Sequence, residues 1–156
     1  MKSRSKIPQD KKALTIPRVF TREGKTPWSF FDFDRRSARI MGADGEVVFE
    51  MKNVEVPNSW SQVATDILAQ KYFRKTGVPL EGGGEGAENS IKQVAHRMAG
   101  FWKFWGEKAG YFATKKDAKI FYDEIVYTIL AQIAAPNSPQ WFNSGELGAA
   151  IWADNI

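Results

Sequence analysis

The sequence predicts a mainly α domain with a β-hairpin, an α+β class: an extended N-terminal arm, one hairpin, then three amphipathic helices. Three observations predict it. Asp44-Gly45, a strong two-residue turn signal, sits between the strand-like runs "ARIM" and "EVVFEM". Two Ser-x-x-Gln pairs, Ser59/Gln62 and Ser90/Gln93, each head a run with helical apolar spacing. A third such run opens at Thr114 with Asp117 and is stopped by Pro136.

Residues 16–33 hold two prolines and five aromatics, which predicts extended chain packed on another element. The hairpin comes next over 38–51, with Val47 and Phe49 alternating against Glu46, Val48 and Glu50. The first helix takes Ser59 as its N-cap, presents Trp60, Val63, Ile67 and Leu68, and runs to about Thr76, before Gly77 and Pro79. "EGGGEGAEN", 81–89, has a linker's composition. The second helix, capped by Ser90, carries Ile91, Val94, Ala95, Met98, Trp102 and Trp105 on one face and ends around Gly106 to Gly110. The third has Ala118, Phe121, Ile125, Ile129 and Ile133 as its stripe. More apolar faces result than three helices need for each other, so the domain is expected to pack onto a further body.

The 156 residues, 43% hydrophobic and 13% aromatic, suffice for one domain with a core. No apolar run reaches the length of a bilayer span, and the basic start lacks the apolar segment of a secretory signal, so a cytoplasmic protein is expected. Cysteine is absent and His96 is the single histidine, which excludes disulfides, thiolate chemistry and multi-histidine zinc sites within this chain. Residues 1–25 carry eight cations and two acids, whereas the other 131 residues are net −2. The basic character therefore belongs to a tail over 1–25, expected to be disordered, and not to the folded body.

Several constellations could carry chemistry. His96, beside Lys92 and Arg97, reads as a surface or edge histidine before it reads as a proton carrier. Asp32/Asp34 and Asp123/Glu124 read as solvated charge, and "EGGGEG" lacks the Lys-Ser/Thr ending of a phosphate loop. "HRMAGFWKFWGEK" interleaves aromatics with cations, as a base-stacking surface does, but its aromatics fall at core spacing. "PNSPQWFNSG", 136–145, is the best candidate. It reads as a rigid loop in which Pro139 forces Ser138 extended, Asn137 and Asn143 shape the turn, Gly145 allows close approach, and Trp141 and Phe142 are buried anchors. A pinned hydroxyl there could donate to an anionic oxygen such as phosphate. A plain helix stop is the alternative, and the residues alone leave both open.

"VEVPNSWSQ", the "GYFA" turn at 110–113 and "APNSPQWFNSG", in that order, resemble the N-terminal domain of adenosylcobalamin-dependent (class II) ribonucleotide reductases, with likeness over roughly 26–145. The resemblance implies reduction of ribonucleotides, mainly diphosphates, to 2′-deoxyribonucleotides by a cysteine thiyl radical in a ten-stranded α/β barrel, with adenosylcobalamin as cofactor. It implies that the helical domain packs on that barrel and that Ser138, on the loop shaped by Asn137, Pro139 and Asn143, contacts the nucleotide. This chain departs from the pattern after Gly145: "ELGAAIWADNI" holds no cysteine and does not look like the family's continuation, so 146–156 is expected to be a divergent end.

The leading reading is thus a fragment or split piece of a ribonucleoside-diphosphate reductase, inactive alone and completed by a barrel-bearing chain, with a ribonucleotide as substrate and no membrane partner. A non-catalytic interaction module or an inactive remnant is the alternative. A basic-tailed nucleic-acid binder ranks last, because the folded body is net acidic.

Overall fold

The computed structural model describes residues 13–79 and 83–144. The first part of the basic tail, Gly145, the divergent end 146–156 and residues 80–82 of the linker region lie outside the described residues. In chain order there are a 3-10 turn (Pro27–Phe30), β1 (Phe33–Met41), β2 (Val47–Pro57) and α1 (Gln62–Ile67), which widens into a π turn over Leu68–Tyr72. Then come β3 (Val78–Pro79), β4 (Glu85–Gly86), α2 (Ile91–Lys108), α3 (Lys115–Leu130) and the short α4 (Ser138–Asn143).

β1 and β2 form the expected antiparallel hairpin, turning at Asp44-Gly45 with Gly45 at φ +81°. It is longer than 38–51 because pairing continues past a bulge. Arg36 faces Val54 and Ala38 faces Met51, so β2 carries one extra residue, and Asn53 takes φ +60° to accommodate it. The bulge breaks the alternation that marks a strand in sequence. Beyond it Val54 and Val56 are fully buried, whereas Val47 and Val48 near the turn are exposed.

The first helix starts later than expected. Ser61, not Ser59, is its N-cap, accepting from the Ala64 N–H. Consequently Val63 and Ile67 face solvent, and the buried positions are Thr65, Leu68 and Ala69. Trp60 precedes the helix, is buried, and donates through Nε1 to the Leu130 carbonyl at 2.8 Å. The helix ends at Tyr72, before Thr76. Part of the glycine-rich linker pairs as β4 with β3.

α2 has the expected Ser90/Gln93 capping box, and Ile91, Val94, Ala95 and Met98 are fully buried. Its stripe fades toward the C-terminus, where Trp105 is exposed. α3 is capped by Thr114 as expected, but it ends at Leu130 rather than at Pro136, leaving Ile133 exposed. The core lies between the second half of β2, the π turn, α2 and α3, with Trp60 and Trp141 closing it.

Asp123 and Glu124 are not solvated charge. Asp123 is fully buried, ion-paired to Arg18 at 3.0 Å and Lys119 at 2.9 Å. Glu124 accepts the Phe20 and Thr21 N–H groups, each at 2.9 Å. Ile16 N–H donates to Asp117 Oδ1 at 2.8 Å, and Leu14 bridges Phe112. Residues 14–21, inside the stretch assigned to the tail on charge, are therefore bonded to the start and outer face of α3. Asp32 and Asp34 are exposed, as expected.

Candidate substrate-binding loop

"PNSPQWFNSG" folds into a turn of helix and not an open loop. Asn137 is the extended residue (φ −66°, ψ 158°), Ser138 is the first helical residue, and Pro139 sits in the first turn. Proline there forfeits only an N–H that would have no helical partner, so it starts the helix instead of holding Ser138 extended. Gln140 N–H returns to the Asn137 carbonyl at 3.0 Å and Ser144 N–H to the Gln140 carbonyl at 3.1 Å.

Six residues of helix cannot hold themselves together in water. The anchors are tertiary. Trp141 is buried in the core, and its Nε1 donates to the Pro136 carbonyl at 2.8 Å. Phe142, expected as the second anchor, is instead 46% exposed, because adjacent helical residues point about 100° apart. At the C-terminal end the fully buried guanidinium of Arg97 donates to the carbonyls of Trp141 (2.9 Å) and Ser144 (3.0 Å), and Arg74 adds a 3.3 Å bond to Ser144. These are the carbonyls a helix end leaves without partners, and a cation there also meets the negative end of the helix dipole.

Arg97 is itself held by Glu88, also fully buried, in a forked pair: Nε to Oε1 at 2.8 Å and Nη2 to Oε2 at 3.1 Å. Glu88 Oε2 further accepts the Arg74 N–H at 2.9 Å. The planar fork suits a carboxylate and carbonyls at once, a geometry lysine does not offer.

The four residues expected to shape the site, Asn137, Ser138, Pro139 and Asn143, all lie exposed on α4 or its cap. The Ser138 hydroxyl lies 3.2 Å from the hydroxyl of Tyr72, whose ring packs 5.0 Å from Trp141 and 5.4 Å from Phe142. Nearby in sequence, burial lowers the Lys75 ammonium below the usual lysine range, opposed by Glu88. Sequence reasoning missed Arg97, Glu88 and Tyr72. The available signal was position: Arg97 stands three residues after Val94 and one before Met98, on the face that goes inward.

His96 is neither a surface nor an edge residue. It is 4% exposed, with Nδ1 2.7 Å from the Tyr122 hydroxyl. Burial, and then Asp123, push ionisation of that hydroxyl far above the tyrosine range. The interleaved aromatics of α2 split: Trp102 packs against the core, while Phe104 and Trp105 are exposed with Lys108 over both rings.

Among the described residues no three His, Cys, Asp or Glu side chains gather as a metal site, and no helix is long and apolar enough to cross a membrane. An open cavity of about 600 Å³ lies between α2 and the start of α3, lined by Lys103, Glu107, Phe112, Ala113, Thr114 and Lys115.

A family model for the N-terminal domain, described as class II vitamin B12-dependent ribonucleotide reductase, matches residues 34–132 and so ends before α4. The chain is 42% identical over 160 aligned residues to the vitamin B12-dependent ribonucleotide reductase of Bradyrhizobium diazoefficiens, covering 85% of this chain and 13% of that protein. It is 39% identical to the protein of the same name in Agrobacterium fabrum, with the same coverage, and 39% identical to that of Streptomyces clavuligerus, covering 92% of this chain and 14% of the relative. The chain thus spans about one-seventh of the length of the relatives it matches.

Proposed function

Because this chain belongs to the class II vitamin B12-dependent ribonucleotide reductases, whose N-terminal domain it matches, we propose that it contributes the substrate-contacting turn of a ribonucleoside-diphosphate reductase. The observation that carries the reading is the build of α4. An exposed serine hydroxyl stands on a helical turn fixed from beneath by Trp141 and by a buried arginine. Such a hydroxyl meets a ribose or phosphate oxygen with little ordering entropy left to lose. On this reading the catalytic cysteines and the barrel belong to another part of the enzyme, since this chain has no cysteine.

Adenosylcobalamin, the cofactor of the complete enzyme, supplies the radical that initiates reduction. None of the described residues is assigned as a ligand for it. The one histidine is buried against Tyr122, and the open cavity beside α3 offers no histidine. This chain's own residues bind and orient substrate: Ser138 donates or accepts at a nucleotide oxygen, and Asn137, Pro139 and Asn143 set the course of the turn around it.

The test is Ser138→Ala in the reductase assembled from this chain and a barrel-bearing chain. Loss of one hydrogen bond of about 1 kcal/mol raises the substrate KM about fivefold with the domain still folded. An unchanged KM removes Ser138 from the site.

A second reading rests on the exposed Phe104, Trp105 and Phe142. In it the domain docks on the barrel chain without touching substrate. Tight binding to that chain with no dependence of KM on Ser138 would favour it.

A further inference from the structure

We propose that Tyr72 is a second substrate-contacting residue, and that its hydroxyl and that of Ser138 act as one recognition pair for a phosphate or ribose oxygen of a ribonucleoside diphosphate. This rests on the proposed role of α4 and adds to it a residue from a different element, 66 positions away in sequence.

The geometry begins with the π turn. Phe73 N–H bonds the Leu68 carbonyl at 3.1 Å, five residues back, so one extra residue is inserted where an α-helix would have closed at four. An insertion of one residue rotates the downstream side chains by about 100° relative to a regular helix. Such π turns are rare and concentrate at functional sites. Here the turn delivers the Tyr72 ring onto Trp141 and Phe142, tilted by 33° and 32°. The ring is half-buried and stacked, while its hydroxyl reaches the exposed Ser138 hydroxyl at 3.2 Å.

Two bonded hydroxyls are a particular kind of donor. One O–H is consumed within the pair, and the other is free to donate outward, polarised by the bond it accepts. The pair also retains lone pairs for a ligand hydroxyl. Its spacing is maintained from below: the guanidinium of Arg97 bonds the Trp141 and Ser144 carbonyls on the α4 side and lies 3.5 Å from the Tyr72 carbonyl on the other. A structural tyrosine would need only its ring, already stacked on two aromatics; the hydroxyl adds nothing to that packing.

The test is a two-by-two set, Tyr72→Phe, Ser138→Ala and the double variant, in the assembled reductase. Binding of a ribonucleoside diphosphate and of the matching ribonucleoside is measured at equilibrium. Tyr72→Phe keeps the stacking ring, and an unchanged unfolding midpoint verifies that the domain is intact. Each single change should weaken diphosphate binding about fivefold, and the double variant by about the same factor and not its square, because either change breaks the pair. Weakening confined to the diphosphate assigns the pair to a phosphate oxygen; equal weakening for the nucleoside assigns it to the ribose. If Ser138→Ala weakens binding and Tyr72→Phe does not, the pair is overturned while the α4 reading stands. A multiplicative loss also overturns the pair, in favour of two independent contacts. If neither change affects binding, the α4 reading itself fails.

Discussion

Replacing Arg97 with methionine should cost this domain a large part of its stability and release α4 first. The side chain is fully buried and makes two bonds to the buried Glu88 carboxylate and two to the carbonyls of Trp141 and Ser144. Methionine fills similar space but strips the guanidinium fork from the Glu88 charge, which stays in the core against the Arg74 N–H at 2.9 Å. Breaking a buried pair from one side costs about 3–5 kcal/mol, against a total of about 5–15 kcal/mol for a domain. The double variant Glu88→Gln/Arg97→Met removes the stranded charge while Gln still accepts from Arg74. The Trp141 carbonyl is then left without its Arg97 donor, whereas Ser144 keeps Arg74, so the double variant should lose only about 1–3 kcal/mol. Urea unfolding followed by tryptophan fluorescence and far-UV dichroism measures both, with equal m-values required for the comparison. A loss below about 1 kcal/mol for Arg97→Met, or a double variant less stable than the single, would refute the claim that the ion pair fixes this end of the fold.

Two further predictions concern the α3 side. The Thr114 hydroxyl, with the Ile16 N–H, holds Asp117 below its ordinary 3.8, and for Glu124 burial pushes upward but is outweighed by the Thr21 hydroxyl and the Phe20 and Thr21 N–H groups, which hold it below 4.5. Both carboxylates are depressed, so the attachment of residues 16–21 is complete above the ordinary values and is lost as pH falls through the lowered ones; the protection of the Ile16, Phe20 and Thr21 amides, taken relative to the intrinsic exchange rate at each pH, should be high at about pH 5 and fall below about pH 4, and protection unchanged at about pH 2 would contradict it. Gly106→Ala should destabilise by about 1 kcal/mol despite alanine's better helix propensity, because a Cβ there would lie 2.4 Å from the Phe112 ring; a gain in unfolding midpoint would show that the ring moves aside freely.

The sequence determined the parts whose signals are local. The Asp44-Gly45 turn, the Ser90 capping box and the Thr114 cap each depend on residues within a few positions, and all three stand where the spacing put them. Where two local signals competed, only packing chose. Ser59 has the local capping pattern, yet Ser61 caps the helix, because Trp60 enters the core and bonds the Leu130 carbonyl before the helix begins. The hairpin beyond Met51 was hidden by one left-handed residue, Asn53, which destroys the period of two without ending the pairing.

For the candidate site the sequence supplied Ser138 and the Trp141 anchor, because proline, serine and tryptophan so closely spaced restrict the chain locally. It could not supply Tyr72, Glu88 or Arg97. A charge looks the same in a string of letters whether it faces water or a carboxylate. Arg97 is buried only because Glu88, nine residues earlier, and α4, more than forty later, converge on it. That convergence is long-range burial with its desolvation cost offset by partners, and tertiary structure alone brings the partners together.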